Sequence, residues 1–472
     1  MPHSRPIFWW NKEIHLFNKT QTNFTRQPWA NGVILIGCVV IAMLLANLPF
    51  TSHIYHSFLE TTLSLDLHSP NGTLNWSIPR GMTVEKFIND ILMVVFFFSV
   101  GLEIKREVVN GELSSFKKAI MPIVAACGGV IVPALIYTVI NKGTMAAGGW
   151  GIPTATDIAF AIGILSILGN RVPVSLKVFL TALAIADDLI AILVVAIFYG
   201  GTINLQLLLI ALIIVLFVFF LNKLGEKKLV YYIVPLIVIW FLFYYAGIHA
   251  TMSGVVMAFL IPMEARYSKA KFYRRHKILF QGIEHGDYVG APEFPDEEQR
   301  YCLRRLSGLS KRSIPPSYRL EQELSPWVNY FIMPVFALAN AGVVISDASY
   351  FNVFQYSPEL GSVSMGIFLG LLLGKPIGIA LTSFLAVKCK LGAMPDKSTW
   401  PMLFAVACLG GIGFTMSIFV DTLSFAGPGI PADVTQHMRD AGKIAVLLGS
   451  LCSGILGSAL ICLFNKIETK RS

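Results

Sequence analysis

Apolar residues along this chain form long blocks that are separated by short polar segments. The blocks are roughly 18–25 residues long, which is the length an α-helix needs to cross the hydrocarbon core of a bilayer. Their number predicts about twelve transmembrane helices in an all-α polytopic membrane protein. The helices are expected near residues 30–48, 87–103, 118–139, 150–168, 175–199, 204–222, 229–245, 247–262, 327–345, 361–387, 400–420 and 440–464.

Three stretches permit more than one interpretation. Residues 229–262 are long enough for a single helix, but "YYAGIHATMSG" interrupts them, and we predict two short spans. Residues 63–78 alternate around Pro70-Asn71-Gly72, which predicts a small external β-hairpin rather than an irregular loop. Residues 263–326 are polar and of mixed charge, and either disorder or a short regulatory insert fits this composition.

Basic residues fall in alternate polar segments, as the positive-inside rule requires. This alternation predicts an even number of spans with both termini in the cytoplasm. The expected organisation is a cytoplasmic N-terminal segment 1–29, helices one to eight over 30–262, a cytoplasmic loop 263–326, helices nine to twelve over 327–464, and a cytoplasmic tail 465–472.

The composition supports the membrane assignment. The 472 residues are 55% hydrophobic and 14% charged, whereas a soluble globular protein has about 25% charged residues. We therefore attribute the formal charge of +9 to basic residues in the cytoplasmic loops, and we expect no nucleic-acid partner. The seven cysteines form no C-x-x-C pair, and we expect neither a disulfide nor a metal role for them. The first residues also lack the pattern of a cleavable signal peptide.

Four ionisable residues interrupt the apolar blocks: Asp157, Asp187, Asp188 and Lys375. Each mid-membrane charge costs about 2.5–3.5 kcal/mol on insertion scales, so together they would cost on the order of 10 kcal/mol if uncompensated. Mutual pairing inside the helix bundle would offset part of this cost. Three acids for one base, with two of the acids adjacent, favour a functional site over a purely structural ion pair.

Asp187 and Asp188 point in different directions, because neighbours on an α-helix lie about 100° apart. One can therefore meet Lys375 while the other faces a water-filled passage. In a low dielectric a carboxyl group keeps its proton more readily than in water, and it can release that proton when another cation arrives. Sodium and lithium are hard cations that prefer oxygen ligands, which Asp188, Asp157 and Thr156 offer. The pattern indicates exchange of protons for a metal cation.

Glycine-rich breaks lie beside this chemistry. The segment "GGWGIPTATD" (148–157) precedes one acid, and "CLGGIGFTMS" (408–417) interrupts the eleventh block. Discontinuous helices offer free carbonyls and helix ends to an ion near the midplane. Because glycines also serve close helix packing, it is the pairing with Asp157 that favours broken helices here.

At these residues the chain resembles the NhaA family of bacterial sodium/proton antiporters. The matching segments follow family order through nearly every block from the second to the eleventh: "NDILMVVFFFSVGLEIKREVVNGEL" (89–113), "PTATDIAFAIGIL", "LTALAIADDLIAI", "GIHATMSGV", "FALANAGV", "GKPIGI" and "GGIGFTMSIF". The resemblance implies inverted repeats with two crossed discontinuous helices. It also implies pH-regulated, electrogenic export of sodium or lithium by alternating access, in exchange for a larger number of protons. An inner-membrane homodimer formed partly through the external hairpin follows as well, with no cofactor and no enzymatic activity.

The resemblance also implies roles for individual residues. Asp188 would be the principal carrier of cation and proton, and Asp187 would help it hold the transported sodium while pairing with Lys375 in one state. Thr156 and Asp157 would lie where the broken helices cross. The remaining implied positions are Glu103, Glu107, His249 and Glu321 for pH regulation, and Gly410, Gly411 and Gly413 for the second broken helix.

Some of these positions also have ordinary interpretations. His249 could be a solvated histidine near the external face, and Glu103 and Glu107 lie at a helix end where charge pairs three or four residues apart are common.

Other classes of protein fit less well. An intramembrane aspartyl protease needs a G-x-G-D sequence, which is absent. A transporter of organic anions should carry more cationic than anionic groups in the membrane. A passive cation channel needs no titrating lysine beside its acids. That channel, and another kind of proton-coupled cation transporter, remain the alternatives.

Overall fold

A computed structural model describes residues 29–63, 66–68, 75–77, 82–201, 203–284, 297–345, 353–357, 361–396, 398–425 and 431–471. Over these ranges the chain is mainly helical, with two short antiparallel strand pairs. The all-α class is therefore confirmed. The predicted N-terminal segment 1–29 lies outside the described residues except for Trp29, as does the predicted turn at Pro70-Asn71-Gly72.

The α-helices follow one another through the described ranges, with short 3₁₀ and π-helical segments between some of them. The α-helices are Ala30–Asn47, Ser52–Glu60, Val84–Phe87, Met93–Asn110, Phe116–Ile140, Ile158–Leu168, Val174–Phe198, Leu205–Lys223, Val230–Ala246, Met252–Leu260, Lys269–Glu284, Glu297–Ser313, Pro316–Trp327, Met333–Asn340, Val363–Leu369, Lys375–Lys388, Trp400–Leu409, Phe414–Ser424 and Ala432–Arg471. The 3₁₀ segments are Glu112–Ser114, Met145–Thr154 and Gly169–Arg171, and the π-helical segments are Ile88–Leu92, Val328–Ile332 and Gly370–Gly374.

Seven helices in the described ranges are long and apolar enough to cross a membrane, and up to nine spans result if each of two bent pairs counts as one. Met145–Thr154 and Ile158–Leu168 meet at 42°, and Trp400–Leu409 and Phe414–Ser424 meet at 52°. We call these the first and second bent pair. The chain is thus a multi-pass membrane protein. The number twelve stays a prediction, because other expected spans, such as Met252–Leu260 with 9 residues, are short.

Two boundaries differ from the sequence expectation. The segment 263–326 contains the helices Lys269–Glu284 and Glu297–Ser313, and a third helix already begins at Pro316. Apolar blocks do not reveal such helices, because only a few of their residues are buried, among them Cys302 and Leu309. The last helix also continues to Arg471, so residues 465–471 of the predicted tail belong to this helix.

The predicted hairpin is present as a strand pair. Asp66–His68 pairs antiparallel with Asn75–Ser77, with Leu67 opposite Trp76. A second antiparallel pair, Thr62–Leu63 with Met82–Thr83, lies at its base. Since an isolated two-stranded hairpin is only marginally stable, the adjoining pair gives it a support within the chain.

Close helix packing positions the lysine of the predicted site. A Cβ atom on Gly128 would lie 2.4 Å from the carbonyl oxygen of Gly378, and a Cβ on Gly378 would lie 2.2 Å from that of Gly128. Only glycine allows the helices Phe116–Ile140 and Lys375–Lys388 to approach this closely. Lys375 begins the second of these helices, and its side chain is fully buried.

Candidate ion-binding site

Asp157 links the two bent pairs. Its Oδ1 accepts a hydrogen bond from the backbone N–H of Phe160 at 3.1 Å, which caps the N-terminus of Ile158–Leu168. Its Oδ2 accepts hydrogen bonds from the backbone N–H of Thr415, at 3.2 Å, and from the Thr415 hydroxyl. One carboxylate therefore lies at the first turns of two half-helices, where a negative charge is favoured by both helix dipoles.

The backbones of the two breaks also bind each other. The N–H of Asp157 donates to the carbonyl of Ile412 at 2.7 Å, and the Thr156 hydroxyl donates to the carbonyl of Gly410 at 2.8 Å. The N–H of Gly413 donates to Ser450 Oγ at 3.2 Å. The structure thus places Gly410, Gly411 and Gly413 in the gap between Leu409 and Phe414, and the unwound backbone of this gap finds partners in the first bent pair and in Ser450 of the last helix.

Lys375 forms an ion pair with Asp187. Its ammonium donates to Asp187 Oδ2, and it also donates to the Thr156 hydroxyl at 2.8 Å. Both charged side chains are 0% exposed. Removing two charges from water is costly, and this contact offsets the cost only because the geometry is direct and Thr156 supplies a further hydrogen bond.

Asp188 faces a cavity instead. It lies one residue further along the helix Val174–Phe198 and lines a cavity of about 360 Å³, together with Asp157, Glu103 and Glu321. Its Oδ1 is buried and has no hydrogen-bond partner among the described residues. The two adjacent aspartates therefore differ: Lys375 holds Asp187, whereas Asp188 presents an oxygen without a donor next to an open volume.

Three of the residues expected to act in pH regulation meet at Arg106, and we call this group the Arg106 cluster. Arg106 lies 2.6 Å from Glu321, 2.9 Å from Glu107 and 4.0 Å from Glu103. Glu103, Arg106 and Glu321 line the same cavity as Asp188. The sequence alone also allowed these charges to be ordinary pairs at a helix end. Only the fold brings Glu321 to Arg106.

His249 lies apart from this cavity. It falls in the gap between Val230–Ala246 and Met252–Leu260, and its Nε2 contacts the backbone carbonyl of Tyr199. Tyr199 directly follows the helix that carries the two aspartates. The structure therefore brings Glu103, Glu107 and Glu321 together, but not His249.

Sequence reasoning missed three residues of this region. Thr415 lies inside the quoted segment "GGIGFTMS", but nothing in the sequence indicated that its hydroxyl binds Asp157. Arg106 was visible only as a helix-surface charge. Asp421 is fully buried and lies one residue beyond the predicted end of the eleventh span. Intramembrane acids indicate functional sites, so a predicted span that ended at residue 421 instead of 420 would have included Asp421 among the candidates.

The donor set suits a hard cation as cargo. Within the described ranges, no group of three or more His, Cys, Asp or Glu side chains could hold a metal ion. Sodium, however, takes carboxylate, hydroxyl and carbonyl oxygens. In this structure the oxygens of Asp157 and Thr156 are engaged by other groups, whereas the Oδ1 atoms of Asp187 and Asp188 have no hydrogen-bond partner among the described residues.

Fold and site together define the class of the protein. It is a multi-pass helical membrane protein whose buried acids and lysine gather at breaks in its helices, which is the arrangement of an ion transporter.

Comparisons with known proteins identify the family. Residues 22–461 match the family model described as Na+/H+ antiporter 1. The chain is 41% identical over 459 residues to the Na(+)/H(+) antiporter NhaA of Bacteroides thetaiotaomicron, which covers 96% of this chain and 99% of that relative. It is 40% identical over 449 residues to the NhaA of Wolinella succinogenes (95% and 94% covered) and 40% identical over 458 residues to that of Helicobacter pylori (96% and 98% covered). The chain belongs to the NhaA family, whose members are transporters and not enzymes. The resemblance noted in the sequence is thereby confirmed.

Proposed function

We propose that this protein exports sodium or lithium across the bacterial inner membrane in exchange for a larger number of protons, by alternating access at Asp188 and Asp187. The observation that carries the proposal is the contrast between these neighbours: Lys375 occupies Asp187, while Asp188 offers an unpartnered oxygen to the cavity. The names of the relatives, all Na(+)/H(+) antiporters, support the choice of ions.

Asp188 carries either a proton or a sodium ion. The protonated acid is neutral and can remain in a dry surrounding, whereas the carboxylate form requires a compensating cation. A sodium ion that enters the cavity provides this compensation and displaces the proton. Because one carboxyl group cannot hold both cations together, the two ions compete, and this competition is what couples their movements.

Asp187 and Lys375 add a second proton to the cycle. Sodium held by both aspartates displaces the ammonium from Asp187. A buried ammonium without its counter-charge releases a proton. With the proton from Asp188, more protons than sodium ions then move per cycle, which makes the exchange electrogenic.

The bent pairs supply the moving part. We propose that they are two crossed discontinuous helices belonging to inverted repeats, with Asp157 compensating their facing N-termini. The support is the set of hydrogen bonds from Phe160 and Thr415 to this one carboxylate. A shift of either half-helix changes which side of the membrane reaches Asp188, while Asp157 and Thr156 provide oxygens near the ion.

Regulation by pH is assigned to the Arg106 cluster and to His249. Glu103 and Glu321 line the entrance volume beside Asp188, and protonation of these acids changes the number of negative charges that attract sodium there. His249 contacts the far end of the same aspartate-bearing helix through Tyr199, so its protonation acts on the position of that helix.

The topology completes the proposal. Both termini, the segment 1–29, the helix-containing region 263–326 and the end 465–472 lie in the cytoplasm, because these segments carry the basic residues. The strand pair Asp66–His68 and Asn75–Ser77 then lies outside and joins two copies in a homodimer. Sodium, lithium and protons are cargo, and the exchange needs no cofactor.

Everted membrane vesicles with a respiration-generated pH gradient test the function. Sodium or lithium should collapse the gradient, and potassium should do so much less. Asp188→Asn should abolish this effect while the protein still inserts. Asp433→Asn, which changes an exposed acid on another helix, is the matched control and should behave like the wild type.

The same assay separates the alternatives. A passive channel lets sodium cross without moving protons, so with the membrane potential clamped the gradient would persist in its presence. If sodium leaves the gradient intact at every pH between about 6 and 9, where buried carboxyls are documented to titrate, the antiporter assignment is wrong.

A further inference from the structure

A second buried acid lies away from the site described above. Asp421 sits near the end of the half-helix Phe414–Ser424, whose first turn contacts Asp157. Its side chain is 0% exposed. Neither of its carboxylate oxygens has a hydrogen-bond partner among the described residues, and no described Lys or Arg lies within ion-pair distance of it. The proposed cycle does not use this acid.

The last helix packs directly on Asp421. A Cβ atom on Gly442 would lie 2.1 Å from Asp421 Oδ1, so only glycine leaves room for the carboxyl group at this contact. The charged groups that face Asp421 from this helix are Lys443, Arg439 and Asp440. Two tyrosines face it from other elements, Tyr137 in the helix Phe116–Ile140 and Tyr199 after the helix Val174–Phe198.

The surroundings of Asp421 favour its neutral form and its ionised form to different degrees. A buried carboxylate without donors or a paired cation is strongly unfavourable, whereas the neutral acid is far less so. The contacts in the structure therefore fit the neutral acid. The ionised form needs a cation, and Lys443, itself buried and adjacent in sequence to Gly442, is the group placed to supply it.

We infer that Asp421 is a second proton-binding carboxyl group of this protein, separate from Asp188, and that Lys443 is the counter-charge of its ionised form. Loss of the proton strengthens the attraction between the half-helix Phe414–Ser424 and the last helix, at the end opposite to Asp157. Proton binding at Asp421 thus acts on one of the two bent pairs. This link to ion exchange rests on the function proposed above, whereas proton binding itself does not.

Infrared difference spectroscopy of the reconstituted full-length protein tests proton binding directly. The carboxylic-acid C=O band is followed in wild type from about pH 6 to about pH 9, where buried carboxyls titrate. Asp421→Asn should remove one titrating acid band. Asp433→Asn, which changes an exposed acid at the start of the last helix, is the matched control and should leave the titrating bands as in wild type. An unchanged spectrum in Asp421→Asn would overturn the inference.

Lys443→Gln tests the counter-charge and serves if Asp421→Asn does not fold. Without the ammonium the ionised acid has no cation nearby, so the acid band should persist to a higher pH than in wild type. If the band is lost at the same pH as in wild type, Lys443 is not the counter-charge. If in addition no titrating acid band remains once those of Asp157, Asp188, Glu103 and Glu321 have been assigned with their amide variants, Asp421 is not a proton site.

The vesicle assay tests the link to exchange. Asp421→Asn mimics the neutral acid, so its half-maximal sodium concentration should equal that of wild type at low pH and differ from it by at least about threefold at high pH. If the ratio of the two half-maximal sodium concentrations, variant to wild type, stays constant with pH, Asp421 is a purely structural residue and the link is contradicted. Failure of wild type to exchange sodium would sink the proposed function, while the infrared titration would still decide proton binding.

Discussion

The protein contains two charged clusters, and they differ in how water reaches them: the Arg106 cluster lines the cavity, whereas the pair of Lys375 and Asp187 lies behind its lining residue Asp188. In the buried centre, Lys375 and Asp187 form an ion pair in which both side chains are 0% exposed. In the Arg106 cluster, Arg106 is 31% exposed and meets Glu321, which is 9% exposed, at 2.6 Å. Both clusters set one cation among several acids. The degree of exposure to water therefore decides how much each ion pair contributes to the free energy of unfolding.

This difference suits separate tasks. A charge that is dry and held by one partner cannot be lost without a large free-energy penalty, so its release must be coupled to the arrival of another cation. A half-exposed charge exchanges its contacts with water at little cost. The first property is the one that the proposed coupling of ions requires, and the second suits the proposed role of the Arg106 cluster in pH regulation.

The largest effect is expected from Lys375→Met. The change leaves Asp187 buried without its cation, which should lower the free energy of unfolding by about 3–5 kcal/mol. Thermal unfolding of the purified protein in detergent measures this loss. The double variant Asp187→Leu/Lys375→Met should recover most of it, because it removes both charges. A loss below about 1 kcal/mol in the single variant would mean that the buried pair behaves like a surface pair.

A smaller effect is expected from Thr415→Val. It removes the hydroxyl that donates to Asp157 and should cost about 1–3 kcal/mol, because a buried carboxylate oxygen loses a donor. Thr422→Val is the matched control, since among the described residues the Thr422 hydroxyl donates to a carbonyl of its own half-helix, that of Phe419. Equal losses in both variants would argue against a special role for the Thr415 hydroxyl.

The pair of Arg106 and Glu321 should contribute less than either of these. A double-mutant cycle with Arg106→Gln and Glu321→Gln, followed by thermal unfolding, is expected to give a coupling of about 1 kcal/mol, because Arg106 is partly solvated. A coupling as large as that of Lys375 with Asp187 would remove the distinction between the two clusters.

The smallest effect is expected between Arg106 and Glu103, whose charged atoms lie 4.0 Å apart with side-chain exposures of 31% and 36%. The corresponding double-mutant cycle should give a coupling below about 0.5 kcal/mol. A value above that of the cycle with Glu321 would show that Glu103, and not Glu321, is the main partner of the arginine.

Much of the fold could be predicted from the sequence, because a helix that crosses the bilayer needs a contiguous apolar block of matching length. Sequence reasoning placed the long helices and the glycine breaks from apolar blocks. It left the segment with Lys269–Glu284 and Glu297–Ser313 undecided, because these polar helices have no such blocks. It missed Asp421, because the predicted span ended one residue too early.

Part of the candidate site could also be predicted. The rotation between neighbours on a helix predicted that Asp187 and Asp188 face different surroundings. It could not say which oxygen remains free, because this depends on where Thr156 and Lys375 lie in other helices.

The sequence by itself determined the membrane class, the positions of the intramembrane charges and the family, since each is written in local composition or in contiguous motifs. Tertiary structure alone decided the partners. Lys375 and Asp187 are separated by 188 residues, Arg106 and Glu321 by 215, and Thr415 and Asp157 by 258. A hydrogen bond requires two groups to lie within about 3 Å in suitable directions, and only the packing of distant helices brings such groups to that distance.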